Sequence, residues 1–295
     1  MSDVRVGFIG LGAIGVPMAV HVAKAFDAVV WNRTTDKARA FGEEHGVEVA
    51  ESAGALVKEC DVVITCLSTS DDVLDVLDGI GDVWRKGQLL VDATSGDPTG
   101  SKTAAARLEK FGAGFVDAPV SGGTSGAEAG TLTSMLGGEE PWVSKAREIV
   151  SCYSKKIEHV GPVGAGHALK AINQGLLAIN IVAAAEGFAA LTKLGVTPSV
   201  ALNVINSATG RSNVTENLFP QRVITGDWPR TFKLSLLDKD LGVALKVLED
   251  TGIPSGAIRV AKDEYAKARK ALGEEADHVE YVRDFEKRVG VEVRG

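Results

Sequence analysis

The sequence predicts an α/β protein, with a doubly wound parallel sheet in its first half and an all-α domain after it that begins with one long helix. Three observations predict this. Short apolar runs without polar alternation recur at Val4–Ile9, Ala28–Trp31, Asp61–Leu67, Leu89–Asp92, Gly114–Asp117 and Leu132–Leu136, the pattern of strands buried on both faces. Amphipathic helical patterns such as Thr35–His45 and Ser101–Phe111 lie between them, so the strands are joined by helix-length crossovers, as in βαβ units. From Gly166 to Leu194 there is no proline, and Ala, Leu, Ile and Val dominate. That stretch is one helix of roughly 28 residues, on the order of 42 Å long, with Gly195 as its stop. Further helical patterns at Pro198–Ser207, Leu236–Asp250 and Ala257–Leu272 follow with no strand-like run among them. The expected division is 1–163 for the sheet domain and 164–295 for the helical one.

The bulk composition narrows the function. A chain of 295 residues exceeds one ordinary core, and 45% hydrophobic with 24% charged residues is a globular balance. A net charge of −7 argues against broad binding to nucleic acid or to an anionic membrane. Cys60, Cys66 and Cys152 are an odd number, widely spaced, and fit buried thiols in a reducing compartment. No His/Cys cluster suggests a metal. The polar opening Met-Ser-Asp-Val-Arg shows no leader, and no uncharged apolar run reaches the ~18 residues of a membrane helix. Leu176–Ala185 is apolar, but Lys170 and Glu186 bracket it. A cytoplasmic protein is expected.

The nucleotide signal sits at the N-terminus. Gly10-Leu11-Gly12-Ala13-Ile14-Gly15 is GxGxxG directly after a strand and at the start of a helix. The first glycine makes the turn, the second admits a pyrophosphate, and the third lets helix and strand pack closely. Helix N-terminal N–H groups bind the anion. This is the Rossmann arrangement. The second strand ends in Asn32-Arg33-Thr34, with no acidic residue before Asp36. An acidic residue there holds the ribose 2′-hydroxyl of NAD, whereas an arginine accommodates a 2′-phosphate. The expected cofactor is therefore NADP, with NAD possible.

Three further segments carry polar groups where chemistry needs them. Asp117-Ala-Pro-Val-Ser121-Gly122-Gly123 ends a strand in a loop whose hydroxyl and amides can cradle a carboxylate. At the start of the long helix, Lys170, Asn173 and Gln174 are spaced i, i+3, i+4 and share a face. Alone, Lys170 is an ordinary surface lysine; beside two amides on an apolar helix, after a dinucleotide domain, it is a candidate acid/base. Phe232-Lys-Leu-Ser-Leu-Leu-Asp-Lys239-Asp240-Leu241 places charges inside a helical pattern.

Taken in order, GLGxxGxPM, DAPVSGG, GxGxxxKxxN and KDL make the whole chain resemble the β-hydroxyacid dehydrogenases, nearest their 3-hydroxyisobutyrate branch. Relatives acting on tartronate, glyoxylate or succinic semialdehyde are the alternative. The resemblance implies that Lys170 is the general acid/base, that Asn173 orients the substrate beside Gln174, and that Ser121, Gly122 and Gly123 hold its carboxylate. It also implies that Lys239 approaches the nicotinamide end of the site, where Phe232 is assigned too, with Asp240 beside the lysine. The Asp92–Pro98 loop with Ser95 lies near the nicotinamide, and Leu67-Ser68 beside the adenosine. Two departures stand out: Ser68 replaces a common proline, and Asn173-Gln174 replaces the common Asn-Asn, as it does in tartronate semialdehyde reductases.

The chemistry agrees. Hydride adds to a carbonyl carbon only as its oxygen gains a proton or a cationic partner, and a lysine supplies either; general acid catalysis contributes ~10²–10⁴-fold. His167, one turn before Lys170, reads as structural. Ser207, Arg211, Ser212 and Asn213 are candidates for substrate choice. An imine reductase shares the architecture but not the lysine. Phosphogluconate dehydrogenase shares the lysine segment but needs a larger helical domain. A non-catalytic NADP-binding protein would have no need of Lys170 or the Ser-Gly-Gly loop. The apolar long helix calls for cover beyond one small domain, so a homodimer or homotetramer through the helical domain is expected.

Overall fold

The structure is a computed structural model that describes residues 4–295. The opening Met-Ser-Asp, on which part of the leader reading rests, lies outside them. Two compact units divide the chain, one ending at Lys170 and the other spanning Ala171–Gly295.

The first unit alternates strands and helices: β1 (Arg5–Ile9), α1 (Gly15–Ala25), β2 (Asp27–Trp31), α2 (Thr35–His45), β3 (Glu48–Val49), α3 (Ala53–Glu59), β4 (Val62–Thr65), α4 (Ser70–Ile80), β5 (Leu89–Asp92), α5 (Pro98–Glu109) and β6 (Gly114–Asp117). After these come β7 (Val120–Ser121), α6 (Gly123–Glu128), β8 (Leu132–Gly137), α7 (Trp142–Val150) and β9 (Ser154–Gly161). The sheet order is β3-β2-β1-β4-β5-β6-β8-β7, with β9 on β8. The strands from β3 to β6 run parallel. β8 runs antiparallel to β6 and β7, and β9 is parallel to β8.

The sheet is therefore mixed rather than wholly parallel. Burial explains why the sequence misleads here. β8 is covered almost throughout, and a strand buried on both faces is apolar whichever way it runs. β9 was missed because it exposes Lys155, Lys156 and Glu158 and offers no apolar run. α5 starts three residues earlier than its apolar pattern, because Asp97 caps it by accepting from the N–H groups of Thr99 and Gly100, both at 2.9 Å, with Pro98 in the first turn.

Register is what positions the site. Ile9 pairs with Trp31 and with Thr65, Thr65 with Asp92, and Asp92 with Asp117. Five strands thus end on one line, and the glycine loop, the Asn32–Thr34 segment and the loops of Ser68, Ser95 and Ser121 all leave from it. The strand order reverses between β1 and β4, which opens the crevice where doubly wound sheets bind ligands.

The long helix α8 (Ala165–Lys193) leads from the first unit into the second. Then follow α9 (Pro198–Asn206), a π-helix at Val214–Val223, α10 (Leu234–Asp250), α11 (Gly256–Leu272) and α12 (Glu280–Val289). The sequence pattern missed the π-helix, which holds Pro220, and α12, whose charged residues mask its periodicity. Ala178, Ile181, Ala185 and Phe188 of α8 join the core of the second unit, where Phe188 and Phe219 meet at 5.1 Å between ring centroids.

α8 is long and apolar enough to cross a membrane by length and composition, with an 18-residue window of mean hydropathy 1.6 that is 39% buried. The uncharged-run criterion passed over it because charged residues interrupt it. Its uncovered face is narrower than expected. Leu169, Asn173, Leu176, Asn180, Ala183, Gly187 and Ala190 are exposed at alternating spacings of four and three, so small and amide side chains share that stripe with two leucines.

Candidate dinucleotide and active site

The glycine loop is built by close packing. Gly10 has φ +106°, and a Cβ there would stand 2.3 Å from the Cys66 carbonyl; one at Gly15 would stand 2.0 Å from the Gly10 carbonyl. Gly12 has nothing near its missing side chain, and the Leu11–Ala13 segment borders a cavity of about 610 Å³. Ile14 is half-buried at the start of α1. Asn32 turns inward, accepting from the Leu11 N–H at 3.0 Å and donating to the Thr34 carbonyl at 3.1 Å. It fixes the loop and leaves Arg33 and Thr34 exposed; the Arg33 side chain is 87% exposed, 3.7 Å from Asp72. An open backbone at Gly12 on tightly packed flanks fits a dinucleotide pyrophosphate.

On the neighbouring strands, Thr94 accepts from the Leu67 N–H at 3.0 Å and donates its own N–H to Asp92 at 3.1 Å. The two predicted loops are thereby tied together, with Ser68 exposed and Ser95 half-buried. Burial pushes the thiols of Cys60, Cys66 and Cys152 up to about 12, so none is poised as a nucleophile.

The third loop, from Asp117 to Gly123, and the start of α8 share one anchor. Asp117, fully buried at the end of β6, accepts from the backbone N–H groups of Gly164 at 2.6 Å and His167 at 2.9 Å. It caps α8 from 47 residues upstream. Burial pushes its carboxyl upward; His167 and the two N–H donors pull the other way without cancelling the rise. The His167 ring is fully buried, with Nδ1 2.7 Å from Ser101 Oγ and Nε2 3.8 Å from Asp92. Lys170 follows one turn later, 9% exposed. Ser121 is half-buried at the end of β7, and Gly122 and Gly123 are exposed.

In the second unit another chain of contacts joins predicted residues. Lys239 Nζ lies 2.9 Å from Asp240 Oδ1, Gln174 donates to Asp240 Oδ2 at 3.1 Å, and Asn173 donates to Gln174 at 3.3 Å. Asp240 and Gln174 are buried while Asn173 is exposed, so the shared helix face is the edge of a buried polar cluster. Phe232 is held by its backbone: its N–H donates to Asp277 at 3.0 Å and its carbonyl accepts from the His278 N–H at 2.9 Å. Of the residues named for substrate choice, Arg211 pairs with Glu216 at 3.5 Å, and Ser212 is engaged in a turn with Thr215. Sequence reasoning missed Thr94, Ser101 and Asp277, and did not see Asp117 as a helix cap. For Thr94 and Asp117 the available signal was a carboxylate or hydroxyl at the end of an apolar strand, where burial demands a partner; Ser101, inside α5, and Asp277, between α11 and α12, carried no such signal.

Comparison with known proteins agrees with this arrangement. Residues 5–161 match the NAD binding domain of 6-phosphogluconate dehydrogenase, and residues 164–285 the NAD-binding domain of NADP-dependent 3-hydroxyisobutyrate dehydrogenase. The chain is 34% identical to 2-(hydroxymethyl)glutarate dehydrogenase of Eubacterium barkeri, covering 100% of this chain and 99% of that one. It belongs to the β-hydroxyacid dehydrogenase family. Human mitochondrial 3-hydroxyisobutyrate dehydrogenase is 35% identical over 86% of this chain and 78% of its own. The Mycobacterium tuberculosis 3-hydroxyisobutyrate dehydrogenase solved with L-serine superimposes with a TM-score of 0.89 at 32% identity, covering 95% of this chain and 98% of that one. This β-hydroxyacid dehydrogenase is thus an NAD(P)-dependent oxidoreductase acting on a CH–OH group. The mixed sheet followed by a helical domain that begins with α8 is the architecture of those neighbours.

Proposed function

We propose that this protein interconverts a small carboxylate-bearing β-hydroxy acid and its semialdehyde with NADP(H), with 3-hydroxyisobutyrate as the substrate. Tartronate semialdehyde, glyoxylate or succinic semialdehyde is the alternative; the Asn173-Gln174 pair favours the first of these. The observation that carries the reading is Lys170: a buried amine on the first turns of a helix whose N-terminus is fixed by Asp117.

The nicotinamide ring supplies or accepts the hydride. The Gly10–Gly15 loop would receive the pyrophosphate on the open backbone of Gly12 and Ala13, with Leu67, Ser68 and Ser95 on the adjoining strand ends. Arg33 and Thr34, both exposed after β2, offer a cation and a hydroxyl that would suit a ribose 2′-phosphate, which supports NADP over NAD. Ser121 and the amides of Gly122 and Gly123 bind the substrate carboxylate. Asn173 orients the substrate beside Gln174, and Lys239 and Phe232 border the nicotinamide side. Lys170 then gives a proton to the carbonyl oxygen in reduction and takes it from the hydroxyl in oxidation. We place the enzyme in the cytoplasm, and in a homodimer or homotetramer that covers the exposed stripe of α8.

Lys170→Ala tests the reading. It should lower kcat by about 10²-fold or more while NADPH binding holds; a variant keeping a third of wild-type turnover would assign the proton to another group. Initial rates against 3-hydroxyisobutyrate, glycerate, 4-hydroxybutyrate and their semialdehydes identify the acid. Equal turnover of a matched alcohol lacking the carboxylate would count against the Ser121 loop.

A further inference from the structure

We infer that Asp117, seconded by His167, is a positioning residue that sets the Lys170 amine against the substrate loop; this rests on the role proposed for Lys170. Asp117 is the last residue of β6, and the chain reaches Ser121 only four positions later. The same carboxylate holds the first turn of α8 through both its oxygens, Oδ1 to the Gly164 N–H and Oδ2 to the His167 N–H. One rigid group therefore locates both segments. The surroundings are shaped to it: a Cβ at Gly166 would stand 2.7 Å from Asp117 Oδ2 and 2.3 Å from the Met135 carbonyl, and one at Gly137 would stand 2.6 Å from the same carboxylate oxygen. The glycine at position 166 is thereby explained by the approach of the carboxylate.

His167 extends the tie to the loop of Ser95. Its Nδ1 meets Ser101 Oγ on α5 at 2.7 Å, and its Nε2 faces Asp92 at 3.8 Å at the end of β5. A Cβ at Gly96 would stand 2.9 Å from the ring, so the loop carrying Ser95 rests directly on it. Nε2 is buried without a hydrogen-bond partner. A strong donor or acceptor left so in a buried site indicates a ring held by its surroundings rather than by its own best bonding. The loops of Ser95 and Ser121 and the helix of Lys170 thus meet on two fully buried side chains.

The test separates placement from mere stability. Asp117→Asn keeps the shape but accepts at one oxygen only, so its amide confronts the N–H of Gly164 or His167 and the first turn of α8 shifts. A misplacement of about 1 Å costs on the order of 10²-fold in rate. The expected result is a kcat lower by about 10- to 100-fold, with a displaced kinetic pKa in the kcat–pH profile. The dissociation constant for NADPH, read by fluorescence, should stay near wild type because the glycine loop is untouched. His167→Gln should lower kcat and displace the kinetic pKa more mildly with melting temperature near wild type, and it decides the matter if Asp117→Asn does not fold. A folded variant with wild-type kcat and pH profile overturns the inference. So does a loss in which kcat, NADPH binding and melting temperature all fall together. Lys170→Ala run in parallel distinguishes the two levels: if it is inactive while Asp117→Asn behaves as wild type, only the positioning role fails, and if it stays active the catalytic reading fails beneath it.

Discussion

Replacing Asp277 by asparagine should destabilise the protein severely, in a way that depends on pH. Asp277 accepts from Thr231 N–H at 2.7 Å, Thr231 Oγ1 at 2.9 Å, and Phe232 N–H, Val279 N–H and Arg222 at 3.0 Å each. Its side chain is 1% exposed and that of Arg222 12%. Removing one partner of a buried, hydrogen-bonded pair costs about 3–5 kcal/mol, because the other charge stays buried alone. For a domain of this size that lowers Tm by on the order of 10 °C or more. Burial alone would raise the Asp277 pKa, but the His278 ring and the Val279 and Thr231 N–H donors outweigh it and hold the carboxyl well below its usual range. A carboxyl depressed in the folded state adds stability that is fully present above the unfolded value of about 3.9 and is lost as pH falls toward the native value. The gap between wild type and Asp277→Asn should therefore be open at pH 7 and narrow below about pH 4. Thermal melts by circular dichroism across that range measure it. A melting temperature within about 3 °C of wild type at pH 7, or a gap that persists unchanged into acid, would refute the argument.

Arg33→Ala should weaken NADP(H) binding by about 10- to 100-fold and spare NAD(H), the loss of a charge-assisted hydrogen bond; a wild-type protein that prefers NAD(H) would end that assignment. Light scattering should find a dimer or larger, and Leu176→Glu, on the exposed stripe of α8, should shift it toward a particle of 30.8 kDa with its far-ultraviolet spectrum intact. A wild-type monomer at micromolar concentration would show that the stripe needs no partner.

What the sequence disclosed and what it hid follow one physical division. Strands covered on both faces announce themselves, so β1, β2, β4, β5 and β6 were legible, as was the GxGxxG turn between the first of them and α1. Direction and edges are not written in apolarity, so β8 was legible as a strand but not as an antiparallel one, and the charged edge strand β9 was not legible at all. Site residues divide in the same way. Helical spacing brings Lys170, Asn173 and Gln174 together within a few positions. The bond from Gln174 to Asp240 spans 66 positions and that from Asp117 to His167 spans 50, and no local pattern encodes either. Yet Thr65, Asp92 and Asp117 are polar residues closing apolar runs, in register on adjacent strands. A carboxylate buried at a strand end must find donors, and a helix start is the nearest dense supply of unpaired N–H groups. Gly164-Ala-Gly166 is the helix start that leaves room for a carboxylate to reach them. The strand-end aspartate and the Gly-x-Gly helix start are thus the two halves of one contact, legible once each is recognised as incomplete without the other.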